Sequence, residues 1–325
     1  MSGRVKARAT ARVAIVQHRS SARLDQALEQ TVDLAHQAAV GGAELVVFPE
    51  TWIPGYPAWI DSAPGAAFWN HEPVKAAWAD IAANSIDVDG PSGRRLQALA
   101  RELDVSLVIG ISEQVGHGPG RNSLYNALLT IGPDGSLLNH HRKLVPTFSE
   151  KLIWAYGDVD GLRAVDTPVG RVGSLVCWEH WMPLPRQAMH DAGEDLHVAV
   201  WPTVHADHQL ASRHYAFEGR CHVLAAGALL HRDDVPAGLA PEESRIPGDD
   251  WLLRGGSCII GPDGRFLVEP VFDRETIIHA ELDLGRNRRE AMNLDVSGHY
   301  HRRELMSLTL KPNGRAVSRP APRTE

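Results

Sequence analysis

Apolar positions fall along this chain in two patterns: short unbroken runs, and longer stretches in which they recur at helical spacing. Arg12 to Gln17 reads as a buried strand. After it, Leu24, Ala27, Leu28, Thr31, Ala35, Ala38 and Ala39 share one helical face until Gly41-Gly42 stops the helix. Glu44 to Phe48 is a second strand, and its apolar run ends at Pro49-Glu50. A carboxylate there sits at a strand's C-terminal end, where ligand sites of α/β sheets gather. Thr51 to Phe68, rich in Trp, Tyr, Pro and Gly, is a shaped loop. Pro91 to Leu103 is an amphipathic helix carrying Leu96, Leu99, Ala100 and Leu103, and it feeds a strand from Val105 to Ile111.

One five-residue turn occurs twice. Ile131-Gly132-Pro133-Asp134-Gly135 joins Leu124–Thr130 to Ser136–Leu144, and Ile260-Gly261-Pro262-Asp263-Gly264 joins Ser257–Ile259 to Arg265–Glu269. Each predicts a β-hairpin, one in each half of the chain. Between them come a strand from Arg171 to Cys177, a short helix around Arg186 to Asp191, a strand from His197 to Trp201 and a helix around Leu210 to Arg220. Strands alternating with amphipathic helices, twice over, predict an α/β fold in which a pair of sheets carries helices on its outer faces. The repeated hairpin argues for one sandwich rather than two independent units. We therefore expect a single domain over residues 1–310, a surface excursion from Val235 to Asp250, and a tail over 311–325 that does not pack alone.

Composition narrows the partners. The formal charge of −7 on 325 residues comes with no basic stripe, so neither nucleic acid nor a membrane surface is expected as a partner, and a small molecule is. Val13 to Val16 is too short for a secretory apolar core, and three widely spaced cysteines point to reduced thiols in a cytoplasmic protein. Cys177-x-x-His180 and His205-x-x-His208 are the best local metal pairs, but neither completes a zinc pattern. With no glycine-rich nucleotide motif either, neither metal nor cofactor is expected.

Three segments end an apolar run with a reactive side chain: Val46-Val47-Phe48-Pro49-Glu50, His140-His141-Arg142-Lys143-Leu144 and Leu175-Val176-Cys177-Trp178-Glu179. Taken singly, each has a bland reading as inert thiol, cap carboxylate or solvated cation. Together they make a working set. A thiol of ordinary pKa ~8.5 is mostly protonated at neutral pH and needs a base or a nearby cation to attack. Glu50 supplies the first and Lys143 the second. The Trp178 backbone N–H at the strand-to-helix corner adds support for developing negative charge. Cys221 and Cys258 lack such flanks and read as packing.

These segments resemble the Glu-Lys-Cys signature of the nitrilase superfamily of carbon–nitrogen hydrolases, a resemblance that extends roughly from Arg12 to Asp283. It implies a four-layer α-β-β-α sandwich with internal pseudo-twofold symmetry. It also implies Glu50 as general base, Lys143 as transition-state stabiliser, Cys177 as nucleophile and Glu150 as a second carboxylate holding Lys143 and the substrate. Phe48-Pro49-Glu50-Thr51-Trp52-Ile53-Pro54-Gly55-Tyr56-Pro57 and Cys177-Trp178-Glu179-His180-Trp181-Met182-Pro183 resemble the nitrilase branch, as does Lys151-Leu152-Ile153-Trp154 before Gly157-Asp158. The expected reaction is hydrolysis of a nitrile to a carboxylic acid and ammonia through a covalent Cys177 thioimidate and thioester. Tyr56 and Trp178 would border the substrate, and His180 would either bind it or stabilise the turn. An amidase or N-carbamoyl hydrolase, or a silent scaffold homologue, stands as the alternative. The resemblance further implies a homo-oligomer built from dimers.

Overall fold

The computed structural model describes residues 9–61, 63–236, 238–239 and 250–314. Its first half runs β1 (Thr10–Gln17), α1 (Leu24–Val40), β2 (Leu45–Val47), α2 (Glu72–Ala83), α3 (Pro91–Leu103), β3 (Ser106–Gln114), β4 (Leu124–Ile131) and β5 (Leu137–Arg142). The second half runs β6 (Val165–Thr167), β7 (Gly170–Val176), α4 (Pro183–Ala192), β8 (Leu196–Trp201), α5 (Ala206–Gly219), β9 (His222–Gly227), β10 (Leu229–His231), β11 (Trp251–Ile260), β12 (Phe266–Phe272), β13 (Thr276–Asp283) and α6 (Gly285–Glu290).

The two halves repeat one topology. In the first sheet the order is β13-β1-β2-β3-β4-β5, with β1, β2 and β3 parallel and the β4–β5 hairpin antiparallel at the edge. In the second, β7, β8 and β9 are parallel, β11 and β12 form the antiparallel hairpin, and β6 flanks β7 as β13 flanks β1. The helical crossovers match too, with α1 and α3 answering to α4 and α5. This is the helix-covered pair of sheets that the alternating pattern predicts, and the four-layer sandwich that the resemblance implies.

Why the central strands read as unbroken apolar runs is now plain. Val13, Ile15, Leu45, Val47 and Val108 pack into one cluster with Val172, Val176, Val198 and Val200 of the opposite sheet. Their neighbours Ala14, Val16, Val46, Leu107 and Ile109 pack outward against Ala27, Leu34, Ala35, Leu96 and Leu99 of α1 and α3. Both faces of each strand are dry, so alternation is lost.

Helix α2 lies where the sequence reading assigns no element. Its Pro73 sits in the first turn, and Val74, Ala77, Trp78 and Ile81 pack in a third cluster with Trp59, Ile60, Ile153 and Trp154. Of the expected excursion from Val235 to Asp250, residues 237 and 240–249 lie outside the described residues, while Leu239 is buried. Within the expected tail, the Asn313 backbone N–H donates to Asp160 Oδ1 at 2.8 Å, and residues 315–325 lie outside the described residues. Among the described residues no helix is long and apolar enough to cross a membrane.

One glycine shapes the approach to the site. A Cβ on Gly110 of β3 would stand 2.2 Å from the Pro49 carbonyl oxygen and 2.6 Å from the Thr51 nitrogen, so only glycine lets β3 run alongside the backbone that carries Glu50. Gly110→Ala is expected to destabilise the fold by about 1–3 kcal/mol through this clash. Urea unfolding at fixed pH measures it, and an unchanged midpoint would contradict the close approach.

Candidate active site

The C-terminal ends of β2, β5 and β7 meet at one buried point, and each delivers one reactive side chain just past its last strand residue. Glu50 follows β2, Lys143 follows β5, and Cys177 follows β7. A fourth group, Glu150, comes from a 3-10 turn over Phe148–Leu152, where its own carboxylate accepts the Thr147 backbone N–H at 2.8 Å. All four are buried.

Three residues around this point adopt left-handed backbone without being glycine: Thr51 (φ 45°), Phe148 (φ 41°) and Cys177 (φ 55°). Thr51 adjoins Glu50, Phe148 opens the turn that carries Glu150, and Cys177 is itself one of the reactive groups. Such conformations cost of order 1–3 kcal/mol each and persist only where the surroundings enforce them. At Cys177 the effect is a sharp corner from β7 into the 3-10 turn Cys177–Trp181, and the Trp178 backbone N–H is brought onto the thiol.

Lys143 is the centre of the cluster. Its Nζ lies 3.0 Å from Glu50 Oε1, 2.7 Å from Glu150 Oε2 and 3.0 Å from Glu150 Oε1. Burial alone would drive this ammonium to neutrality. The carboxylates Glu50 and Glu150 around it more than offset that, holding its pKa above the ordinary lysine value. Glu50 moves the other way: burial, only partly opposed by Lys143, pushes it up to about 7. Its Oε1 is further held by Asn126 Nδ2 at 2.7 Å, while Oε2 is buried with no hydrogen-bond partner. Burial and Glu50 push the Cys177 thiol well up despite Lys143, so the resting sulfur is protonated.

A carboxylate oxygen of each glutamate and the Cys177 Sγ lie within 4.8 Å of one another. Such a donor set would suit a cation, but the Lys143 ammonium already stands between the carboxylates and supplies the positive charge. Chemically, the arrangement offers a free basic oxygen beside a thiol, and an ammonium and an amide N–H for charge that forms on an attacked group.

The remaining expected contacts sort differently. Tyr56 donates its hydroxyl to Glu150 Oε1 at 2.8 Å, and its ring leans on Trp154. It also lines a narrow cleft that reaches Glu50 and is walled by Ser20, Leu229, Leu230 and Leu253. The Trp178 ring lies outside that lining, 44% exposed and packed against Trp181. Its backbone N–H bears on the Cys177 sulfur. His180, expected to bind substrate or brace the turn, is only 1% exposed and stacks on Trp201. Its Nδ1 meets the Cys177 carbonyl oxygen at 2.7 Å, a contact that fits the second of the two expected roles, the brace of the turn.

Two polar residues not singled out from the sequence join the site. Asn126 interrupts the apolar β4 to orient Glu50. Glu179 accepts the Leu144 backbone N–H and the Val176 backbone N–H, each at 2.8 Å, and meets His141 Nε2 at 2.8 Å. It therefore pins the backbone after Lys143 to the backbone before Cys177. Burial works against its charge, but His141 and the two backbone bonds hold its pKa below the ordinary carboxylate value.

Tyr56→Phe removes one hydrogen bond to a buried carboxylate. We expect about a ten-fold or greater fall in kcat/KM, from the 1.5–3 kcal/mol typical of such bonds, read from steady-state kinetics. A wild-type value would mean that Glu150 is held without Tyr56.

A model of the carbon–nitrogen hydrolase family matches residues 12–290. The chain is 38% identical over 291 residues to the bifunctional nitrilase/nitrile hydratase NIT4A of Lupinus angustifolius, covering 87% of this chain and 81% of that one. It is 37% identical over 303 residues to an aliphatic nitrilase of Sinorhizobium fredii (strain HH103), covering 91% and 94%. Among solved structures it resembles Saccharomyces cerevisiae Nit3, a member of branch 10 of the nitrilase superfamily, with TM-score 0.66 over 90% of this chain and 96% of that one. Identity there is 21%, so that likeness bears on the fold. A family match over this span, on a duplicated sandwich that buries a Glu-Lys-Cys arrangement at its strand ends, makes the chain a member of the carbon–nitrogen hydrolase family.

Proposed function

We propose that the protein is a nitrilase, converting a nitrile to its carboxylic acid and ammonia with Cys177 as nucleophile. The observation that carries the reading is the buried meeting of the Glu50 carboxylate, one of whose oxygens has no hydrogen-bond partner, with the Cys177 sulfur, and Lys143 charged between two carboxylates. Relatives named as nitrilases, matching along most of both chains, favour a nitrile over an amide substrate.

In this scheme Glu50 takes the thiol proton as sulfur adds to the nitrile carbon, and the nitrile nitrogen gains the electron pair of the broken π bond. Lys143 and the Trp178 N–H face the developing charge. Protonation gives a neutral thioimidate. Water deprotonated by Glu50 adds to it, ammonia departs, and the thioester left behind is hydrolysed by a second water. If the tetrahedral intermediate expels sulfur instead of ammonia, the product is the amide, an outcome in keeping with the double name of the lupin relative.

Glu50 acts as a base only when deprotonated, and burial pushes it up to about 7. Below that pH its oxygen already carries a proton, so kcat/KM should fall by up to about ten-fold per pH unit. A pH–rate profile that stays flat to about pH 5 would point to another base.

The deciding experiment compares ammonia release from a panel of nitriles with that from the matching amides. Faster release from nitriles is the expected result. Release from amides alone would replace the nitrilase reading with an amidase one.

A further inference from the structure

Behind the nucleophile corner runs a chain of buried polar groups that the reaction scheme does not use. His180 Nδ1 meets the Cys177 carbonyl oxygen at 2.7 Å, and His180 Nε2 meets His197 Nε2 at 3.0 Å. His197 Nδ1 meets Glu194 Oε2 at 2.5 Å, and the Tyr215 hydroxyl donates to Glu194 Oε1 at 2.6 Å. The rings of His180, His197 and Tyr215 are buried, and the Glu194 side chain is 2% exposed.

The hydrogens in this chain can be placed by elimination. A carbonyl oxygen only accepts, so His180 Nδ1 carries a hydrogen. Burial lowers His180 to about 3 and keeps the ring neutral, which leaves its Nε2 as an acceptor. His197 Nε2 is then the donor. Burial also lowers His197 well below its ordinary value, so its Nδ1 is an acceptor as well. The hydrogen on the last bond belongs to Glu194, which burial, opposed by His190 and Tyr215, raises to about 7. All three bonds then point one way, from Glu194 to the Cys177 carbonyl.

Loss of that one proton cannot be absorbed locally. A carboxylate would face the His197 lone pair. If His197 changes tautomer, two lone pairs face each other at His180. If His180 follows, its lone pair faces the Cys177 carbonyl. Wherever the fault rests, two acceptors oppose each other at hydrogen-bond distance among buried groups.

The carbonyl at the end of the chain belongs to the peptide whose N–H, that of Trp178, is brought onto the thiol. We propose that Glu194, His197 and His180 form a positioning relay that clamps the Cys177–Trp178 peptide from behind and works only while it holds the proton between Glu194 and His197. A bond to the carbonyl fixes the peptide plane and also polarises its N–H, the donor aimed at the reacting group. The other groups facing the relay are His190 of α4, Glu218 of α5, and Cys221 and Asp195 at the ends of β9 and β8, with Glu179 and Arg186 near His180. His190 and Arg186 are both bonded to Glu218.

The inference rests on reading Cys177 as the nucleophile but not on the identity of the substrate. Its test is therefore the rate at which iodoacetamide labels Cys177 in the whole protein, located by peptide mapping. In Glu194→Gln the amide donates to His197 and accepts from Tyr215, so the relay keeps its direction but can no longer titrate. The ratio of the Glu194→Gln rate to the wild-type rate cancels the ordinary pH dependence of a thiol. It should stay near one at about pH 6 and rise about ten-fold or more by about pH 9, as the wild-type relay loses its proton and the corner loses its alignment. His197→Phe, which breaks the relay, should label about a hundred-fold more slowly at every pH. A Glu194→Gln ratio that is flat with pH, or a variant as slow as His197→Phe throughout, would overturn the proposal. Should His197→Phe not fold, the Glu194→Gln ratio still decides. A rising ratio in a protein that hydrolyses no nitrile would leave the relay standing and remove the nitrilase reading.

Discussion

Cys177→Ala should abolish turnover, with a fall in kcat of about 10⁶-fold as for other lost nucleophiles. The same change should remove any covalent mass gain on mixing with substrate, which intact mass spectrometry reads directly. Stability is a control that separates chemistry from folding. The side chain is buried at a left-handed corner, and losing one sulfur there should cost no more than about 1 kcal/mol. A variant that folds, binds and still turns over at the wild-type rate would take the nucleophile away from Cys177. Cys221 and Cys258 offer no replacement: burial raises both thiols, and neither has Lys143 among the charges that act on it.

Lys143→Met should have the second largest effect, and on two measurements at once. It strands Glu50 and Glu150, both buried, beside each other without the ammonium that bridges them. Removing one partner of a buried ionic group typically costs about 3–5 kcal/mol. The pH dependence gives the cause a signature. Without the cation nothing opposes the burial that already raises Glu50, so that carboxylate titrates higher still in the folded protein and the folded variant binds more protons than the unfolded chain. Its stability must then rise as pH falls through that raised value, and the deficit against wild type should shrink from about pH 8 to about pH 5. Urea titrations at the two pH values measure it. A deficit independent of pH would mean that the loss comes from packing of the lysine stem. Activity should vanish along with the group that faces the developing nitrogen charge.

Much of the fold could be read from the chain because its signals are local. The Gly-Pro-Asp-Gly turn needs no partner to be recognised, and its recurrence at Gly132 and Gly261 marks the β4–β5 and β11–β12 hairpins. The corner at Cys177 is legible for a similar reason, since the apolar run of β7 stops at the residue that must turn. Helix α2 does carry a local signal, Val74, Ala77, Trp78 and Ile81 at helical spacing, which the sequence reading passes over, and Trp59 and Trp154 cover that face. Strand β13 escaped because its register with β1 joins Thr10 to Asp283 across nearly the whole chain.

The site divides along the same line. Glu50, Lys143 and Cys177 stand out because each ends an apolar run. Asn126 and Glu179 do not, since each is defined by partners far away: Asn126 meets Glu50 across 76 residues and Glu179 meets His141 across 38. For His180 the sequence leaves two roles open, substrate contact or brace of the turn. Which way that ring points is decided by Trp201 and Tyr215, supplied by β8 and α5, and nothing within three residues of Cys177 reveals it.

Glu50, Lys143 and Glu150 all come from the first half of the duplicated fold, and Cys177 opens the second. Glu50 and Lys143 therefore stand at strand ends of one sheet and Cys177 at a strand end of the other. They come within reach of one another only because the two sheets pack face to face, so the seam between the layers is itself what assembles the site.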